Sequence, residues 1–228
     1  MNNLIDQSLS AIPTLKWLPW IGEHYFDLEE NSRILIIGES HYHNGTEKSI
    51  ISHNSPTFTR AIIQEMAIDR QYYKTKFFPN LHLALFRNDN FDKNAFWNSV
   101  SFFNFIQRPM NTPKSRPEWQ EYYTGWETFF AIVKILKPTT CIFIGLTSSN
   151  SLADAIRNTE LSIDGINSED KISGAYARTT TIKDKENNQI KLIFIRHTSQ
   201  RFSWSKWNDY LRKIIPSELI WLEKRITS

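Results

Sequence analysis

The sequence predicts an α/β protein: a three-layer α/β/α sandwich around a central, mostly parallel, four-stranded sheet. Three observations carry this. Four short apolar runs, Ile34–Ile37, Val100–Ile106, Cys141–Ile144 and Leu192–Ile195, read as strands buried on both faces. Segments of helical spacing separate them, and that alternation is the pattern of a parallel sheet. Polar residues follow each run at once, and an open parallel sheet gathers its ligand beyond the carboxyl ends of its strands.

The elements follow in order. After the first run, Ser55-Pro56 offers an N-cap and a proline at the first helical position, and an amphipathic stretch continues to about Asp69. The second run is rich in phenylalanine and is interrupted by Ser101 and Asn104. The loop "NTPKSRP" then leads from Asn111 to Pro117, which starts a helix. Its apolar positions Trp119, Tyr122, Trp126, Phe129, Val133 and Leu136 keep helical spacing until Pro138 ends it. Beyond the third run, "DKENN" at Asp184–Asn188 reads as a hairpin turn joining Tyr176–Ile182 to Gln189–Ile195. Ser203 caps a helix through Ile214, and Pro216 begins the last one, to about Ile226. No repeat, linker or low-complexity segment divides the chain, so residues 1–228 are expected to form a single domain.

Composition narrows the class. The 228 residues are 40% hydrophobic and 14% aromatic, with eight tryptophans, enough for a globular core and for rings that stack on ligands. A formal charge of +3 and a pI of about 8.9 permit contact with a polyanion without the dense basic stripe of a sequence-independent DNA binder. The lone Cys141 rules out an internal disulfide and a four-cysteine metal site. It reads as a core thiol in a reducing compartment. The start "MNNLIDQSLSAIP" lacks the features of a signal peptide, and no apolar stretch is long enough to span a membrane. A cytoplasmic protein is expected.

The strand ends carry the chemistry. In Gly38–Asn44, alternate residues of an extended segment share a face, so Glu39, His41 and His43 converge. Three readings stand: acid–base work near neutrality, a His-x-His metal chelate, or a polar loop with satisfied side chains. Asn104, inside an apolar strand, either reads the edge of a planar heterocycle with one donor and one acceptor, or braces a loop. His197 either stabilises an anion forming on a leaving group or caps local structure. Phe202, Trp204 and Trp207, interleaved with Arg201 and Lys206, suit a single strand or a flipped base, or else pack the last helices on the sheet. His24 and His82 read as structural.

In order, these segments resemble the motifs of the uracil-DNA glycosylase superfamily. That family's Gly-Gln-Asp-Pro-Tyr-His is matched by Gly38-Glu39-Ser40-His41-Tyr42-His43. Its apolar strand ending in Asn is matched by Phe102-Phe103-Asn104, and its Gly-Trp-Glu-x-Phe by Gly125-Trp126-Glu127-Thr128-Phe129. The strand ending in Gly and small polar residues is matched by Ile144-Gly145-Leu146-Thr147-Ser148. His-Pro-Ser is matched by His197-Thr198-Ser199, and Phe-Ser-x-x-Asn by Trp204-Ser205-Lys206-Trp207-Asn208. The likeness spans about residues 33–211.

The resemblance implies hydrolysis of an N-glycosidic bond of a deaminated or damaged base in DNA, single-stranded or flipped, with no cofactor and no bound metal. It implies Glu39, His41 and His197 as catalytic residues. It implies Ser40, Tyr42, His43, Phe58 and Asn104 around the base, and Ser148, Ser199, Arg201 and Lys206 on the nucleic acid. Ser40 stands where the family has its water-activating Asp, and His41 where it has Pro. Gln200-Arg201-Phe202 replaces Pro-Leu-Ser in a shortened loop. Two further readings stand beside this one: a nucleic-acid or nucleotide binding module that lost the chemistry, and a metal-dependent hydrolase built on His41 and His43.

Overall fold

A computed structural model describes residues 3–28, 32–43, 45–70, 75–112, 115–157, 159–168, 170–199 and 201–227. Met1, Asn2, Asn44, Pro113, Lys114 and Gln200 of the stretches quoted above lie outside these. The chain runs α1 (Asn3–Ser10), β1 (Trp20–Ile21), β2 (Ile34–Gly38), α2 (Glu47–His53), α3 (Phe58–Ile62), α4 (Phe77–Phe86), α5 (Lys93–Trp97) and β3 (Ser101–Asn104). It continues with α6 (Trp119–Leu136), β4 (Thr140–Ile144), α7 (Leu152–Ile156), β5 (Ser162–Ile163), β6 (Lys171–Ile172) and β7 (Ala175–Tyr176). The last elements are β8 (Arg178–Lys183), β9 (Gln189–Ile195), α8 (Trp204–Ile214) and α9 (Pro216–Thr227).

The sheet is larger than the four strands expected. Among the described residues it has seven, in the order β1-β3-β2-β4-β9-β8-β5, and β6 and β7 form a separate pair. The four apolar runs, β3, β2, β4 and β9, are parallel neighbours. The other three strands pair antiparallel at the two sides. β1 and β5 hold two residues each, too few for any pattern in sequence to reveal. β8 is the first arm of the expected hairpin, and Asp184 holds the turn by accepting from Glu186 N–H and Asn188 N–H at 2.9 and 2.8 Å.

Alternation along the strands divides the core in two. Ile34, Ile36, Phe102, Ile142, Ile193 and Ile195 face one cluster, closed by side chains of α4, α5, α8 and α9 such as Leu81, Trp97, Trp207 and Leu219. Leu35, Ile37, Phe103, Phe143 and Phe194 face the other, closed by Leu9 of α1, Trp126 and Phe129 of α6 and Leu152 of α7. Among the described residues no helix is long and apolar enough to cross a membrane. Cys141 is fully buried and free, and burial pushes its thiol well above the usual range.

The helix starts shift slightly from the sequence reading. Ser55 Oγ accepts from Thr57 N–H at 3.3 Å, and α3 begins at Phe58. From Ile63 to Ile68 the ladder widens to a π-turn, closed by Asp69 N–H to Gln64 O at 2.8 Å. α6 starts two residues after Pro117 because Glu118 and Glu121 form a reciprocal capping box. It stops at Lys137, left-handed, just before Pro138.

Candidate functional site

The parallel strands deliver four segments to one edge of the sheet. Gly38 and Asn104 are register partners at the ends of β2 and β3. A Cβ on Gly38 would stand 2.1 Å from Asn104 Oδ1 and 2.9 Å from Phe102 Cζ. The missing side chain is what lets the amide lie across the end of β2. Asn104 is buried, and its backbone oxygen accepts from Gln107 Nε2 at 2.5 Å. Its side-chain amide has no partner among the described residues. A buried amide left with open donor and acceptor positions is set to take a ligand's edge.

His197 follows β9 by two residues. Ser199 N–H donates to its Nδ1 at 3.3 Å, and Ser199 Oγ lies 2.8 Å from the same nitrogen. An Nδ1 that accepts from an N–H carries no proton, so the neutral ring holds its proton on Nε2. Burial, helped by the positive charge of Arg116, pushes the imidazole down to about 4. His197 is therefore an uncharged donor near neutrality. Its ring stands 5.4 Å from Phe77. The loop is fixed to the start of α4: Thr198 Oγ1 donates to Phe77 O at 3.0 Å, and Asn80 Nδ2 donates to Thr198 O at 2.6 Å.

Between these two groups the middle strands run into glycines: Gly38 closes β2, and Gly145 directly follows β4. Three strand spacings separate the ends of β3 and β9, roughly 14 Å of backbone. Asn104, at the end of β3, and His197, just past β9, stand on the two sides of these ends. Glu39 turns toward β4, with Oε1 3.7 Å from where a Cβ on Gly145 would stand. Burial raises its carboxyl, opposed by Arg116. With Tyr122, Phe143, Gly145 and Ser148 it lines a cavity of about 10 Å³, the size of one water. Burial and the nearby Glu39 carboxylate push Tyr122 up to about 12 and also raise Tyr42.

Compared with known proteins, the chain matches no family model and no curated protein. What the strand ends can do is thus read from their own groups: an open amide edge, a neutral imidazole donor, and a carboxylate beside a water-sized space that neither Asn104 nor His197 lines.

Other sequence candidates stand apart from this group. His41 is buried, with Nε2 3.0 Å from Thr59 Oγ1 and its ring 5.0 Å from Trp17 and 4.7 Å from Phe58. Burial, with His53 beside it, pushes it down to about 3, too low for proton exchange near neutrality. Phe58 packs at 4.1 Å on His53, within the same aromatic cluster. His43 ties down its own loop, with Nε2 2.9 Å from Asn111 Oδ1 and Nδ1 accepting from Gly45 N–H at 3.1 Å. His41 and His43 are thus bound to different partners. Among the described residues no group of three or more His, Cys, Asp or Glu is placed to hold a metal.

Ser40 Oγ is buried beside the Tyr42 hydroxyl, whose ionised form it favours, and Tyr42 is exposed, bridging to Met110. Ser148 is buried, its carbonyl taken by Trp126 Nε1 at 3.1 Å and Ser151 Oγ at 3.0 Å. Arg201 and Lys206 are exposed. Three residues enter that sequence reasoning passed over: Arg116, Tyr122 and Phe77. In the sequence the helical pattern of α6 absorbs Tyr122, and Arg116 reads only as the end of a loop.

Proposed function

We propose that this protein is a divergent uracil-DNA glycosylase-like enzyme that hydrolyses the N-glycosidic bond of a deaminated or damaged base in DNA. The single observation that supports it most is that one edge of the parallel sheet carries both the open Asn104 amide, at the end of β3, and the neutral His197 donor, just past β9. The reading takes the fold as a three-layer sandwich whose four parallel strands are its motif-bearing centre, and the protein as cytoplasmic.

Asn104 holds the base by its edge. As the bond from C1′ to the base nitrogen breaks, its electron pair moves onto the base, and His197 Nε2–H donates to the oxygen where that charge gathers. The sugar becomes oxocarbenium-like. Water beside Glu39 adds to C1′ and gives its proton to the carboxylate, whose raised pKa makes it a better base than an exposed glutamate. Glu39 does this work because Ser40 stands in the position of the family's Asp. The base has to leave the stack before it reaches Asn104, so a single strand is the easier substrate.

The test is base release from a single-stranded oligonucleotide carrying one uracil. His197→Ala, Asn104→Ala and Glu39→Gln are each expected to lower kcat/KM by about 10²-fold or more. The proposal fails if wild type releases no base from any uracil-containing or damaged strand, single or duplex. The Ser40 substitution favours one second reading, a binding module without chemistry. Its mark is a uracil-independent gel shift with no base released.

A further inference from the structure

Asn104 closes β3, yet the sheet does not hold its backbone on both sides. Phe105 N–H donates to Gly38 O at 2.9 Å, so the alternation of a parallel ladder turns the Asn104 carbonyl away from β2 and toward β1. β1 does not reach it. Trp20 lies opposite Phe102, and the same register would bring Leu18 opposite Asn104. The strand instead starts at Trp20, because Pro19 has no N–H and Leu18 N–H donates to Pro56 O at 2.7 Å. Asn104 is buried, so its carbonyl needs a donor from elsewhere.

Gln107 is that donor. Its Nε2 gives a hydrogen to Asn104 O at 2.5 Å, and its Oε1 accepts from Lys16 N–H and Trp17 N–H, both at 3.0 Å. Two donors face its oxygen and an acceptor faces its nitrogen, so the partners fix which way the amide points. The anchor on the far side is firm. Trp17 is fully buried, its Nε1 donates to His53 O at 2.8 Å, and its ring meets His41 edge-on at 5.0 Å. One half-buried amide thus ties the end of β3 to the N-terminal segment and, through Trp17, to the residues that follow β2. A side chain with only donors or only acceptors makes one half of this tie and loses the other.

We propose that Gln107 is the positioning residue for Asn104. It supplies the ladder bond that β1 leaves out, and so holds the open Asn104 amide in one direction. Gln107 acts through Asn104 and makes no contact of its own with the reacting atoms. That the amide meets a base rests on the glycosylase reading; the aiming of the amide does not.

Two variants take the tie apart. Gln107→Glu keeps the acceptor for Lys16 and Trp17 and loses the donor to Asn104. Gln107→Met, of similar length and uncharged, loses both. Ile182→Val is the control: it loosens the core on β8, beyond β2, β4 and β9, and lowers Tm without touching the tie. The aim of Asn104 is read without substrate, from the NMR order parameter of its side-chain Nδ2, assigned by its loss in Asn104→Asp. It is expected at about 0.8 in wild type and Ile182→Val, and below about 0.6 in both Gln107 variants. Equal order parameters in all four proteins overturn the proposal.

Base release from the uracil-bearing single strand is the second readout. kcat/KM is expected to fall about 10-fold or more in both Gln107 variants, and to stay within about 2-fold in Ile182→Val. A loss that follows Tm alike in all three variants marks a merely structural amide and overturns the proposal. So does unchanged kcat/KM in the Gln107 variants. No base release in wild type, with the order parameters differing as expected, overturns the glycosylase reading and leaves Gln107 as the residue that aims Asn104.

Discussion

A methyl group at position 38 would stand 2.1 Å from Asn104 Oδ1, well inside contact distance. Gly38→Ala therefore forces the amide off its place across β2. Overpacking of this kind costs about 1–3 kcal/mol. Base release is expected to fall by more than the loss of stability accounts for, which urea midpoints and kcat/KM on one preparation would show. The histidines give a second expectation. His41, His82 and His197 are pushed down to about 3, 4 and 4, each chiefly by burial. Their folded values lie below the unfolded value of about 6.5, so the unfolded chain binds more protons between them. Stability is full above about pH 6.5 and declines as pH falls toward 4. A urea midpoint unchanged from pH 7 to 4.5 would contradict this. Gly38, Asn104 and His197 were legible in the sequence because a strand end fixes where each one goes. His41 and Phe58 were not, because Trp17 and His53 decide their directions and lie far from the first motif in pattern.

At the scale of elements, α4 and α8 are joined through one amide. Asn208 is fully buried and donates from Nδ2 to Ala84 O at 2.9 Å and Leu85 O at 3.0 Å. Its Oδ1 accepts from Arg87 Nε at 2.6 Å and Arg212 Nε at 3.1 Å. It thus satisfies carbonyls at the end of α4 that the helix leaves open. Asn208→Leu strands those carbonyls and is expected to cost about 2–4 kcal/mol. Because α4 also holds the loop of His197, base release should weaken as well; an unchanged Tm would refute the link. Strand-forming runs such as Cys141–Ile144 were readable because burial on both faces leaves no polar residue in them. The short helices α2, α5 and α7 span five to seven residues, fewer than two helical turns. Periodicity cannot show itself over such a length.

For the molecule as a whole, one sheet is the floor of both core clusters. Ile36 and Ile37, adjacent in β2, face opposite clusters. Neither side can lose its floor without exposing the other, so near-UV circular dichroism and tryptophan emission are expected to trace one unfolding transition. Two resolved midpoints would show that the halves are independent. The order of the four apolar strands comes from which helices cover which face, and no single segment of sequence encodes that.

The two sides of the sheet end in β1 and β5, two residues each. Between them lie β2, β4 and β9, whose runs of Ile, Leu and Phe are the kind of segment that recruits copies of itself when its open backbone is exposed. Stubs this short offer an incoming chain too few unpaired N–H and C=O groups to template growth. The sheet is protected from aggregation at its margins, and changes that lengthen β1 or β5 put solubility at risk before they touch the site.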